Sequence, residues 1–226
     1  MELDKIIEEA YKLYMPQINS EITQLSEFVE NHIGHTLKSD PYNILEIGTK
    51  FGGTFYIWNK LNPYGMNISI DFDDGGKHGG IGSDQMDKRD LWFQERFSNC
   101  HFIRGDSHAN DTLVQLFSLL VNSRMVEIDP MIQFEGHKML IDPIIDFLFI
   151  DGDHTHEGVK QDFLTYKQFC KPGSIICFHD ITISDHHHSR DVYVGEFWNE
   201  IKDDYEHYEF VEPGNNWGGV GVLIYN

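Results

Sequence analysis

The sequence predicts an α/β fold of the doubly wound kind, a mostly parallel sheet covered by helices. Three observations predict it. Short apolar runs recur along the chain, at Ile44–Ile47, Met66–Asp71, Asn99–Gly105, Ile145–Ile150 and Ser174–Phe178. Buried parallel strands read as such continuous runs. Helix-like stretches separate them, at Thr54–Leu61, Met86–Phe97, residues 111–121 and a span ending near Cys170. Turn chemistry marks the junctions, above all Gly48, Gly52 and Gly53, and Lys171-Pro172-Gly173.

The first 40 residues read as a helical cap. Ile6, Ala10, Leu13 and Tyr14 fall on one face, and Pro16 is expected to break that helix. Ile22, Leu25, Phe28 and Val29 make a second stripe. The stripe is expected to cover the sheet; contact with substrate, or with a second copy in a homodimer, is the alternative. The acidic, helix-patterned start Met1–Ala10 does not fit a signal peptide.

Next comes Asn43–Ile47, a strand that ends at Gly48 and meets a helix after Gly53. Strand, glycine turn and helix N-terminus can hold a nucleotide-like ligand, because glycines let backbone approach it and free N–H groups attract anions. An ordinary βα turn uses the same glycines. Glu46 is unusual, since a carboxylate in a buried strand is costly without a partner. The next strand ends at Asp71, close to the spacing of about 20 residues at which dinucleotide folds place a ribose-binding carboxylate. A ribose diol offers two donors and needs such an acceptor; a turn-capping aspartate is the plainer alternative. Asp73–Asp84 is a glycine-rich polar loop without phosphate-loop spacing, read as a lid over adenosine or a long surface loop. The third strand leads into Asp106 and Ser107. Residues 122–143 are longer than an ordinary connection and read as an insertion.

The second half is richer. Phe149-Ile150-Asp151-Gly152-Asp153-His154 closes the most hydrophobic strand, and Phe178-His179-Asp180 closes the next. A helix between them makes a βαβ unit, so the strands should be parallel. If adjacent they lie about 5 Å apart, and Asp151 and Asp180 project from the carboxyl edge, where open α/β sheets bind ligands. Paired carboxylates repel, and a divalent cation would relieve that. His154 and His156 enter the helix; one can act as a general base, or both as exposed or capping groups. Asp185–Ser189 carries three consecutive histidines, read as a solvated loop or as added metal ligands.

Taken together, Glu46-Ile47-Gly48, Phe149–His154, Lys171-Pro172-Gly173 and Phe178-His179-Asp180 resemble the class I S-adenosylmethionine (SAM)-dependent methyltransferases. Within that class they resemble the branch of macrocin O-methyltransferase and cephalosporin-hydroxylase-type proteins. The motif order covers residues 43–180. Two departures stand out: Lys50 occupies the middle glycine position of the first motif, and His179 stands where relatives often carry an acidic or amide residue. The resemblance implies a Rossmann-like, seven-stranded sheet whose closing antiparallel pair is His207–Val211 and Gly219–Tyr225, after a helix near Val194–Lys202. It implies one methyltransferase domain over residues 1–226. SAM would be held by Glu46, Gly48, Thr49, Gly52, Asp71, Phe72, Asp106, Ser107 and Asp151. It also implies methyl transfer to a hydroxyl of a small-molecule acceptor, with Asp151 and His154 catalytic. Asp151, His179 and Asp180 would be ligands for Mg2+ or Mn2+; imidazole shifts the preference toward Mn2+, Fe2+ or Zn2+. A metal-dependent hydrolase or oxygenase, and a non-catalytic SAM-binding scaffold, are the competing expectations.

Composition narrows the partners. In 226 residues, 37 acids against 17 Lys and Arg give a formal charge of −20, which disfavours nucleic acid and anionic membrane. With 40% hydrophobic residues the chain can build one substantial core. Three cysteines without metal spacing fit a reduced compartment, and no apolar run reaches membrane-spanning length, so a cytoplasmic protein is expected.

Overall fold

The computed structural model describes residues 3–36, 42–73, 80–123 and 144–226. The greater part of the expected insertion (124–143), the middle of the expected lid (74–79) and the end of the cap (37–41) lie outside the described residues.

Five strands run parallel: β1 (Ile44–Ile47), β2 (Asn67–Asp71), β3 (Cys100–Arg104), β4 (Ile145–Ile150) and β5 (Cys170–His179). β6 (Glu206–Phe210) and β7 (Val220–Ile224) pair antiparallel, and β7 runs antiparallel to β5. The sheet order is β3-β2-β1-β4-β5-β7-β6. The chain starts in the middle, winds outward through β2 and β3, then crosses back to β4. The β1/β4 boundary is therefore the point where strand order reverses, and open α/β sheets bind ligands at the carboxyl ends beside such a point.

Side chains alternate between two cores. Leu45, Leu148, Ile176 and Phe178 face α5 (Asn110–Ser123), α6 (His156–Tyr166) and α8 (Val194–Ile201), burying Leu116, Phe163, Phe197 and Trp198. Ile44, Phe147, Phe149 and Cys177 face α1 (Leu3–Tyr11), α2 (Asn19–Thr36) and α3 (Gly53–Leu61), burying Ile6, Ile22, Leu25 and Trp58. The N-terminal stripes thus cover the sheet, as expected of a cap, except that Tyr14 lies beyond the end of α1 and is 65% exposed. α4 (Ser83–Gln94) brings Phe93 into the same core.

Several boundaries differ from expectation. α4 starts at Ser83 and ends at Gln94, three residues ahead of the expected Met86–Phe97 at each end. α1 ends at Tyr11, well before Pro16, because the chain turns to lay Met15 on Gly53; a Cβ at Gly53 would meet Met15. β5 begins at Cys170, before Pro172-Gly173, with a register shift against β4 that absorbs them. Gly173 donates to the Tyr225 carbonyl at 2.6 Å and Ser174 Oγ to the Ile145 carbonyl at 2.7 Å, which holds the kinked start in place. The histidine run forms a short helix, α7 (Asp185–His188), with His187 buried instead of solvated.

Candidate functional site at the carboxyl edge of the sheet

Gly48 closes β1 at φ 88, and a Cβ there would overlap the Asp151 carbonyl. The β1–β4 ladder continues past both strand ends, Asp151 N–H donating to the Ile47 carbonyl at 2.9 Å. Only glycine permits this approach, so Gly48 fixes the distance between loop and Asp151. Lys50 adopts φ 50 and Gly52 φ 89. The lysine at the usual glycine position takes the left-handed conformation itself, and the loop still turns into α3. Thr49 Oγ1 pairs with Ser69 Oγ at 2.6 Å, tying the loop to β2.

Glu46 is fully buried under that loop and accepts from Thr54 Oγ1 at 3.1 Å. Burial pushes its pKa up to about 8, and the Asp151 charge adds to the effect. At neutral pH the carboxyl holds a proton.

Asp71 ends β2 and is buried. Its Oδ1 accepts from Phe72 N–H at 3.1 Å, and its Oδ2 pairs with Arg89 Nη1 from α4. Phe72 is half exposed beside it. Asp106 stands on the same edge after β3, exposed, with Oδ1 accepting from His108 N–H at 2.9 Å. The Ser107 carbonyl accepts from Tyr166 Oη at 2.7 Å, and His108 Nε2 lies 3.2 Å from the fully buried Asp162 Oδ1. The nearby Asp162 carboxylate favours charge on His108 more than burial opposes it, which raises the imidazole pKa; Nε2 also lies 3.2 Å from the Gly158 carbonyl.

Across the reversal point, β4 and β5 bring Asp151, His179 and Asp180 together. His179 Nδ1 lies 3.1 Å from Asp151 Oδ1 and 3.4 Å from Asp180 Oδ1. His154, on the turn before α6, points Nε2 at Asp151 Oδ1 (3.1 Å) and Nδ1 at Asp180 Oδ2 (3.3 Å). Asp180 itself sits at φ 65. Burial alone would raise both acids, but the His179 and His154 imidazoles outweigh it and hold both below the usual carboxylate range. Burial disfavours charge on His179 as well, yet the two carboxylates push its pKa up to about 10. His154 is raised for the same reason.

Donor atoms of Asp151, His154 and Asp180 all lie within 4.8 Å of one another, a set suited to a divalent cation. The expected ligand His179 touches both carboxylates from beside this group, and its Nε2 is buried without a partner among the described residues. His156, the other histidine of the turn, lies away from this group and pairs with Glu200 at 2.8 Å. His187 offers no free ligand atom. Its Nδ1 lies 2.5 Å from the Thr182 carbonyl and its Nε2 accepts from Gly218 N–H at 3.2 Å, so it joins β5 to the β7 entry.

Two residues at this edge escaped the sequence reading. Gln17, buried between α1 and α2, donates from Nε2 to Asp151 Oδ2 at 2.7 Å. Arg89 grips Asp71. Neither carries a motif; a buried-helix arginine between polar neighbours in Lys88-Arg89-Asp90 was the faint signal for the second.

A family model described as a methyltransferase domain matches residues 45–181. The chain therefore belongs to that family, and its class is that of the SAM-dependent methyltransferases. Among curated proteins it is 23% identical over 198 residues to the uncharacterized protein y4gI of Sinorhizobium fredii; the match takes in 84% of this chain but 18% of that protein. Solved structures share the fold at low identity. A provisionally assigned caffeoyl-CoA O-methyltransferase of Staphylococcus aureus is 14% identical with TM-score 0.58, covering 99% of this chain and 92% of that one. The methyltransferase PaMTH1 of Podospora anserina, bound to S-adenosylhomocysteine (SAH), is 13% identical with TM-score 0.55, covering 99% and 88%. MycE of the mycinamycin biosynthetic pathway, in complex with Mg, SAH and mycinamycin VI, is 14% identical with TM-score 0.57, covering 100% of this chain and 54% of that one. Among the described residues no helix is long and apolar enough to cross a membrane.

Proposed function

We propose that this protein transfers a methyl group from SAM to a hydroxyl oxygen of a small-molecule acceptor. One observation carries the reading: Gly48, Asp71, Asp106 and Asp151 all stand at the carboxyl ends of parallel neighbouring strands, on a single rim. The residues present fit SAM. The loop at Gly48–Gly53 has no room for side chains where Gly48 meets Asp151. Asp71 uses only part of its acceptor capacity on Phe72 and Arg89, which leaves lone pairs for a ribose diol. Asp106, Ser107 and Phe72 flank the position expected for adenine. Glu46 and Thr49 act from beneath, holding the loop through Thr54 and Ser69.

When bound, SAM supplies an electrophilic methyl on sulfonium sulfur; the acceptor oxygen forms the new C–O bond as the C–S bond breaks, leaving SAH. The protein's task is alignment. Gln17 and the cap close the rim above Asp151 and keep water away from it. Asp151 lies between Gln17, His154 and His179, facing the reacting centre. His154 is the candidate base for the acceptor proton, once binding displaces a carboxylate from its ring. Asp151, His154 and Asp180 would hold a divalent cation, with His179 beside them; the ion would then supply Lewis-acid polarisation of the acceptor oxygen in place of the base, since His154 cannot be ligand and base at once. We read residues 1–226 as one domain acting on a small molecule.

Isothermal titration tests this reading. SAH is expected to bind the full chain in the micromolar range or tighter; no heat at millimolar SAH would sink it. Labelled SAM with a panel of hydroxyl acceptors then separates a transferase from a scaffold that binds without turnover.

A further inference from the structure

Arg89 has no role in the proposed chemistry, yet it is among the most heavily engaged side chains of the rim. It is 7% exposed, and its Nη1 serves two acceptors: Asp71 Oδ2 and, at 2.6 Å, the Lys50 carbonyl. Its Nε donates to Asp90 Oδ1 at 2.8 Å. Its guanidinium lies over the Phe102 ring, 5.1 Å from the centroid. Its Nη2 is buried and has no partner among the described residues. A buried guanidinium donor without an acceptor is costly, which points to an acceptor delivered by a ligand.

The two groups that Nη1 joins belong to different strands of the cofactor rim. Lys50 is the residue that departs from the glycine pattern, held at φ 50 with its carbonyl turned to Arg89. Left-handed backbone is strained for a non-glycine residue unless its surroundings hold it. Arg89 supplies that hold, and the same nitrogen orients Asp71.

We propose that Arg89 is the positioning residue of the ribose subsite, clamping the Lys50 carbonyl and the Asp71 carboxylate in one geometry and offering Nη2 to a ribose hydroxyl oxygen. The proposal rests on the reading that SAM binds across this edge. Arg89 is the cation facing Asp71. Asp90 on α4 faces Arg89 and is in turn held by Arg104 Nη2 at 2.7 Å. Arg104, the register partner of Asp71 on β3, turns to Asp87 and Asp90 and leaves Asp71 to Arg89. Burial raises the Asp71 pKa, and Arg89 is the largest opposing influence. Loss of the guanidinium would leave that burial unopposed.

The test is calorimetric titration of the full chain with SAH at pH 6 and pH 8, for wild type, Arg89→Leu and Arg89→Lys. Wild type is expected to bind with affinities within about threefold at the two pH values. Arg89→Leu is expected to bind about tenfold more weakly at pH 8, the loss of a charge-assisted contact, and to weaken further at pH 6 as Asp71 takes up a proton. Arg89→Lys keeps the charge but not the fork, so it should flatten the pH profile while recovering only part of the affinity. A 2′,3′-dideoxy analogue of SAH should bind wild type and Arg89→Leu alike. Arg89→Leu binding as wild type does, or losing affinity equally at both pH values and for both ligands, overturns the proposal. Should Arg89→Leu not fold, Arg89→Lys decides: unchanged SAH affinity overturns it. Failure of wild type to bind SAH refutes the proposed function instead, and the two failures are distinct.

Discussion

Replacing Glu46 with glutamine should shift stability in the variant's favour, relative to wild type, by an amount that grows as pH rises. The carboxyl lies fully buried with the Thr54 hydroxyl as its hydrogen-bond donor, and burial together with the Asp151 charge raises its pKa from 4.5 to about 8. In the unfolded chain it ionises near its ordinary value. Between roughly pH 4.5 and 8 the folded state therefore binds more protons than the unfolded state, and stability falls as pH rises through that window. Below the window both states are protonated; above it both are ionised and the loss levels off. Each pH unit inside the window removes at most about 1.4 kcal/mol, so from pH 5 to pH 7 wild type loses about 2.5 kcal/mol at this site alone. Glutamine is close to isosteric and does not titrate, so Glu46→Gln escapes that loss. For a chain of 226 residues, 1 kcal/mol moves the melting temperature by about 2–4 °C. The gap between variant and wild type should widen by roughly 5–10 °C between pH 5 and pH 7, read by differential scanning calorimetry at matched ionic strength. Taking the difference cancels every other titrating group that the substitution leaves alone. A gap independent of pH would show that Glu46 is ionised in the fold, and would refute the reasoning.

Further expectations follow from the same geometry. Gly48→Ala puts a methyl group into the Asp151 carbonyl at φ 88 and should cost at least ~2 kcal/mol while lowering SAH affinity more than tenfold, measured by denaturant titration and calorimetry; a variant of wild-type affinity would contradict the placement of the loop. His108→Leu leaves the fully buried Asp162 without its cation and should destabilise by about 3 kcal/mol. Because the His108 pKa is raised in the fold, its stabilisation is complete below pH 6.5 and is lost as pH rises through the folded value, so the deficit should be larger at pH 6 than at pH 9; an equal deficit at both would assign it to packing. Mn2+ titration followed by electron paramagnetic resonance should show a site that Asp180→Ala weakens at least tenfold, and that a chelator empties without unfolding the chain; binding untouched by the substitution would place the ion elsewhere. Gln17→Leu removes the donor to Asp151 from the cap, and should lower the turnover of any identified acceptor while leaving SAH affinity within about threefold, the scale of one neutral hydrogen bond.

The strands and their ends were legible because a buried parallel strand is an apolar run with an abrupt stop. Ile145–Ile150 matches the strand as read, and the C-terminal strand pair lies within a residue or two of where the family resemblance put it. Element starts that depend on packing were less legible. Pro172-Gly173 looks like a barrier to a strand, but tertiary bonds to Tyr225 and Ile145 carry β5 through it. The three histidines of residues 186–188 looked interchangeable; one turn of helix sends His187 inward to Thr182 and Gly218, His188 to Glu196 at 2.5 Å and His186 to Arg190.

Which acids share a rim is a matter of strand direction, readable from the chain. A βα repeat with right-handed crossovers leaves every parallel strand pointing one way, so Asp71, Asp106, Asp151 and Asp180 had to meet at the carboxyl edge. What those acids touch is a matter of packing. Gln17 reaches Asp151 across 134 positions of chain, and Arg89 reaches Asp71 and Lys50 from a helix that carries no clear apolar stripe. Such contacts depend on how a cap and a helix dock on the sheet, and docking is set by the shape of two packed surfaces, which no local periodicity encodes.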